Sequence, residues 1–184
     1  ASSGFGEAIS RQLVNAGYRV IGTGRRAERL AALGDELGDS FLPLVFDVQD
    51  KTATQAAIAG LPAAWQEVDL LVNNAGLALG LEPAHKADLE DWEQMIATNI
   101  SGLTLLTRLL LPGMVARNRG HVINIGSIAG TYPYPGGDVY GATKAFVKQF
   151  SLTLRADLAG TAIRVTNLEP GLCGGTEFSN VRFH

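Results

Sequence analysis

Five short runs rich in apolar and β-branched residues alternate with five helix-patterned stretches, and this alternation leaves the chain few folds to choose from. The runs are Tyr18–Gly22, Phe41–Val48, Val68–Val72, His121–Gly126 and Ala162–Leu168. The first helix carries Ala8, Ile9, Leu13 and Val14 at helical spacing and stops at Asn15-Ala16-Gly17. Others are expected over Ala27–Leu37, up to about Ala59, over Leu89–Arg117 with a bend near Pro112, and over Val139–Leu158. Strands alternating with helices form right-handed βαβ units, so an α/β fold with a mostly parallel sheet covered on both faces is expected. No repeat, low-complexity tract or linker interrupts residues 1–184, which predicts a single domain.

The chemistry concentrates late in the chain. Tyr140 and Lys144 stand at i, i+4 in the last long helix, one turn apart on one face. An ammonium there lowers the cost of the tyrosinate, so a phenol that titrates near pH ~10 alone exchanges protons nearer neutrality. Ser127 follows the run Val122–Gly126, at the carboxyl end of a buried strand, where open α/β sheets place ligands. A serine donor beside an activated tyrosine can bind and protonate a carbonyl oxygen. Taken alone, the pair better suits a surface helix contact and Ser127 a turn; the rest of the chain turns the reading toward chemistry.

At the other end, Ser2-Ser3-Gly4-Phe5-Gly6 opens a helix whose amides and dipole suit a pyrophosphate, although the same residues make an ordinary helix start. The next strand leads into Gly24-Arg25-Arg26, where an enzyme for the unphosphorylated dinucleotide usually carries a carboxylate. Guanidinium forks bind a 2′-phosphate that a carboxylate repels, so Arg25 and Arg26 predict NADP(H), the alternative being a pair of solvated helix-start arginines. Asp47, read as closing the second run, either accepts from the adenine amino group or caps the following helix. Asn73-Asn74-Ala75-Gly76 ends the third run, where asparagines pin strands, contact the ribose, or both.

The formal charge of −3 argues against nucleic acid as a partner, and no apolar run is expected to span a membrane. The single Cys173 fits a cytoplasmic protein. His85, His121 and His184 lack neighbouring ligands at metal spacing, so metal-free catalysis is expected.

Together these motifs resemble the short-chain dehydrogenase/reductase family: the glycine turn, Asn73–Gly76, Asn99, Ser127, Tyr140, Lys144 and Pro170-Gly171 follow in family order. Gly24–Leu30, Leu77–Gly80, Glu82–Lys86 and Gly174–Phe183 further resemble its bacterial NADP-dependent 3-hydroxy acid dehydrogenases. The resemblance implies a Rossmann-type, doubly wound parallel sheet whose first strand precedes Ala1 and whose last strand and helices follow His184. It implies that Tyr140 is the acid/base, that Lys144 holds the nicotinamide ribose, that Ser127 orients the substrate oxygen, and that Asn99 supports a proton relay through water. It places Ser2, Ser3, Gly4, Phe5, Arg25, Arg26, Asp47, Val48, Asn74, Tyr140, Lys144, Pro170 and Gly171 against the cofactor, with Gly174–Phe183 as a flap. It also implies a homotetramer built through the two long helices.

The expected reaction is hydride transfer between NADP(H) and C3 of a small 3-hydroxy acid such as serine, allo-threonine or 3-hydroxypropionate. Arg182 is the preferred carboxylate clamp over Lys86 and His85, all of which are otherwise solvated charges. Tyr132-Pro133-Tyr134-Pro135 is expected to wall the pocket, and Trp65 and Trp92 to pack. The competing readings are a reductase of 3-oxoacyl thioesters or small ketones, and a non-catalytic NADP-binding regulatory protein.

Overall fold

The computed structural model describes residues 1–171 and Phe178. Its elements alternate as the periodicity requires: α1 (Gly4–Asn15), β1 (Val20–Gly24), α2 (Ala27–Leu37), β2 (Phe41–Val45), α3 (Lys51–Ala59), β3 (Leu70–Asn73), α4 (Leu89–Ile96), α5 (Leu103–Arg117), β4 (Gly120–Ile125), α6 (Asp138–Asp157) and β5 (Ile163–Leu168). All pairing is parallel, in two sheets ordered β1-β2 and β3-β4-β5, and among the described residues no strand joins them.

Helices α1 and α2 pack on β1-β2, and α5 and α6 on β3-β4-β5. The main core lies under α5 and α6, where Leu71, Val122 and Val165 of the strands meet Met114, Leu154 and Leu158. Side chains alternate across a strand, so Leu70, Val72 and Ile123 point to the opposite face, where they are only half-buried. The expected cover on both faces is therefore complete on one.

Several element boundaries differ from expectation. The first strand begins at Val20 rather than Tyr18 and runs through Gly24, with Gly22 beneath the Phe41 ring. The second ends at Val45, so Asp47 follows the strand instead of closing it. Nor does Asp47 cap α3; Asp50 does, accepting from Ala53 N at 2.9 Å.

The helical stretch Leu89–Arg117 is irregular at Ala97–Gly102, a π-helical segment, and not at Pro112, which lies inside α5. By length and composition this stretch reaches the span of a membrane, contrary to expectation. Its Met95, Leu103, Leu106 and Met114 are buried, and 33% of its apolar window is buried inside the protein.

Candidate active site

Strand β4 delivers Ser127 to the carboxyl end of the sheet. Ser127 is half-buried and begins the 3-10 turn Ile128–Gly130, its Oγ accepting from Ala129 N at 3.1 Å. That turn lies directly on α6: a Cβ on Gly130 would stand 2.7 Å from the Lys144 carbonyl carbon, and one on Gly141 3.0 Å from Ala129 O. The serine turn and the Tyr140–Lys144 face are thus held together by close backbone contact.

Tyr140 is buried with Ala78 and Met95, against Leu77, Leu79, Trp92, Ala129 and Val139. The Phe178 ring lies 5.9 Å from its ring centre. Lys144 is also buried, and its Nζ donates to Ile125 O at 2.8 Å, 5.8 Å from the Tyr140 ring centre. Burial lowers the Lys144 pKa from 10.5 to about 8. An ammonium placed there stabilises negative charge developing on a neighbouring oxygen more than a solvated one does.

Asn99 lies in the π segment, a geometry frequent at functional sites. Its Oδ1 accepts from Leu77 N at 2.9 Å, while Nδ2 donates to Leu77 O at 2.9 Å and Thr143 Oγ1 at 3.0 Å. The side chain therefore clasps the loop after β3 and ties it to α6. Between them, a Cβ on Gly76 would touch both Asn99 Oδ1 and Lys144 Nζ at 3.4 Å.

The second cluster forms around the start of α1. Gly4 has φ +55°, a left-handed conformation suited to glycine, and Ser3 at the N-cap makes no side-chain capping bond. Gly6 closes against Asn74, whose Nδ2 lies 2.8 Å from where a Cβ would sit. Arg26 reaches across from β1, its Nη2 donating to Ser3 Oγ at 2.6 Å and its Nε to Ser2 Oγ at 3.3 Å. Arg25 instead pairs with Asp47 at 3.5 Å, and Asp47 Oδ1 accepts from Gln49 N at 3.0 Å. Val48 packs on the π segment, at 2.9 Å from a Cβ position on Gly102. Phe5 begins α1 half in solvent.

From β5, Pro170 O accepts from Ile128 N at 3.2 Å, which brings Pro170-Gly171 beside the serine turn. Arg182 and, apart from Phe178, the stretch 174–183 lie outside the described residues. Lys86 borders a cavity of about 140 Å³ with Asp138 and with Leu79 and Trp92, which also pack against Tyr140. Tyr132 is largely exposed, while Tyr134 lies over Gly137. Trp65 lies under the Arg19 guanidinium at 5.2 Å.

Asn73 pins neighbouring strands, as expected, but its partners Thr107, Asn124 and Ser151 escaped the sequence reading. Asn73 Nδ2 donates to Thr107 Oγ1 at 3.0 Å and to Asn124 Oδ1 at 2.8 Å, and Asn124 Nδ2 donates to Ser151 Oγ at 2.9 Å. All four residues are buried, so this polar chain joins α5, β3, β4 and α6 just beneath the site. The signal was Asn124 itself, a polar residue inside an apolar strand that only a buried partner explains.

A family model described as short chain dehydrogenase matches residues 1–183. The chain is 71% identical over 184 residues to a probable NADP-dependent dehydrogenase of Haemophilus influenzae, covering all of this chain and 73% of that protein. It is 66% identical over 183 residues to the NADP-dependent 3-hydroxy acid dehydrogenase YdfG of Salmonella typhi, covering 100% and 74%. The fold matches a closed form of serine dehydrogenase complexed with NADP+ at TM-score 0.98 and 64% identity, over 100% of this chain and 74% of that one.

Proposed function

The chain belongs to the short-chain dehydrogenase family, and from that premise we propose that it interconverts the C3 hydroxyl of a small 3-hydroxy acid and the corresponding carbonyl. It is an NADP-dependent oxidoreductase of CH–OH groups. The observation that carries the proposed mechanism is the buried Lys144 ammonium site beside Tyr140, on the helix face that the Ser127 turn covers. The choice of a 3-hydroxy acid is supported by the names of the relatives at 64–66% identity.

The residues at the start of α1 fit the dinucleotide. Gly4 takes the left-handed conformation that turns the chain into α1, and Ser3 leaves the first-turn amides without a side-chain cap. Ser2, Ser3, Gly4 and Phe5 would hold the pyrophosphate, and Arg25 and Arg26 the 2′-phosphate. Asp47 and Val48 would border the adenine, with Asn74 and Lys144 at the ribose and Pro170-Gly171 at the nicotinamide. The chemistry that NADP(H) would supply there is the hydride exchange at C3.

The chain's own residues manage the proton and the charge. Ser127 Oγ donates to the substrate oxygen, and Tyr140 takes the hydroxyl proton in oxidation and returns it in reduction. Lys144 stabilises the negative charge that this leaves on Tyr140. Asn99 fixes the loop that walls the site and anchors the proton path behind Lys144. Arg182 clamps the substrate carboxylate. With serine the oxidised product is a 2-amino-3-oxo acid, which loses CO2 without the enzyme.

The protein acts in the cytoplasm as a homotetramer; the exposed Ile96, Phe146 and Leu152 on the two long helices support that assembly. Tyr140→Phe tests the mechanism. Turnover should fall by about 10³-fold while NADPH still binds, and retained turnover would remove Tyr140 from its role.

A further inference from the structure

Ser127 is suspended between two bonds to the exit of β5: Gly126 N donates to Leu168 O at 2.7 Å, and Ile128 N to Pro170 O at 3.2 Å. The residue between those two acceptors is Glu169. Its carboxylate Oε1 accepts from Asn167 Nδ2 at 2.8 Å and stands 3.3 Å from Lys148 Nζ. The same Nζ donates to Thr131 Oγ1 at 2.9 Å, in the loop that follows the serine turn.

Lys148 lies one helical turn beyond Lys144 and two beyond Tyr140, so the three share a face of α6. One ammonium therefore fastens the loop after Ser127 and the strand exit before Pro170-Gly171 to the helix face that bears the acid/base pair. Asn167 tightens the same junction. Its Oδ1 lies 2.6 Å from a Cβ position on Gly126, so the backbone beside Ser127 approaches it without a side chain between them.

We propose that Glu169 and Lys148 are a positioning pair, which sets the height of Ser127 over Tyr140 through the β5 exit. Both side chains are partly exposed, 28% and 42%, so the pair adds little to stability. Reaction rates are far more sensitive, because displacements near 1 Å at a reacting centre cost up to about 10²-fold. The proposal rests on the dehydrogenase reading above, since it concerns where that reading puts its donor and its acid.

The test uses the full chain carrying Glu169→Gln, Lys148→Met, or the exchange Glu169→Lys with Lys148→Glu. Each single variant should lower kcat about ten-fold, with the melting temperature and the Kd for NADPH, read by its fluorescence, nearly unchanged. The exchange should recover most of that loss, because a lysine at 169 can donate to Asn167 Oδ1 and a glutamate at 148 can accept from Thr131. Amide hydrogen exchange at residues 126–131 reads the same hold without substrate and should quicken in the single variants. Unchanged exchange and kcat overturn the pair, as does loss of kcat that follows melting temperature and is not recovered. An inactive wild type would count against the dehydrogenase reading alone, because the exchange readout still decides the pair.

Discussion

Lys144 Nζ donates to Ile125 O at 2.8 Å, so the helix that carries Tyr140 is bonded at its functional turn to the strand that delivers Ser127. At pH 7 the bond holds a cation in a buried setting, and burying one costs stability. The Lys144 pKa falls from 10.5 to about 8, a differential cost of about 3 kcal/mol for the charged form.

The sign follows from proton uptake. Between pH 8 and 10.5 the unfolded chain keeps a proton that the fold releases, so the penalty is full below about pH 8 and disappears as pH rises through that window. Lys144→Met should remove the penalty and lose one hydrogen bond, leaving the protein about 1–2 kcal/mol more stable at pH 7. Turnover should be lost. Urea denaturation at pH 7 and pH 9.5 checks this, and a variant less stable at pH 7 would contradict the cost assigned to Lys144.

The Thr107–Asn73–Asn124–Ser151 chain should behave as a unit. Asn124→Leu strips a partner from Asn73 Nδ2 and from Ser151 Oγ in a buried setting, with an expected loss of about 2–4 kcal/mol. Ser151→Ala alone should cost about 1 kcal/mol. A double-mutant cycle in which the two losses simply add would show that no such unit exists.

Arg25 and Arg26 are expected to divide the 2′-phosphate between them. Arg25 is held by Asp47 and Arg26 by Ser2 and Ser3, so both forks are already placed near the turn. Replacing both with alanine should weaken NADPH about 100-fold and NADH by less than about threefold. Fluorescence titration with each cofactor measures this. Equal weakening of both would assign the arginines to the fold.

Much of this was legible in the sequence because it depends on spacing. Tyr140 and Lys144 share a face wherever α6 forms, and Ser127 follows an apolar run that only a strand accommodates. What escaped depends on partners distant in sequence. Gly22 reads as a strand stop until the Phe41 ring is seen lying over it. The π segment at Ala97–Gly102 contains no proline, so the bend was assigned to Pro112. The Arg25–Asp47 pair and the clasp of Asn99 on Leu77 join residues 22 positions apart, which periodicity does not report.

The most direct measurement is the initial rate of NADPH formation at 340 nm with serine, allo-threonine and 3-hydroxypropionate, run in parallel with NAD⁺. Turnover of at least one of them with NADP⁺ strongly favoured is the predicted result. Absence of turnover with all three, in protein that binds NADPH, would contradict the 3-hydroxy acid assignment.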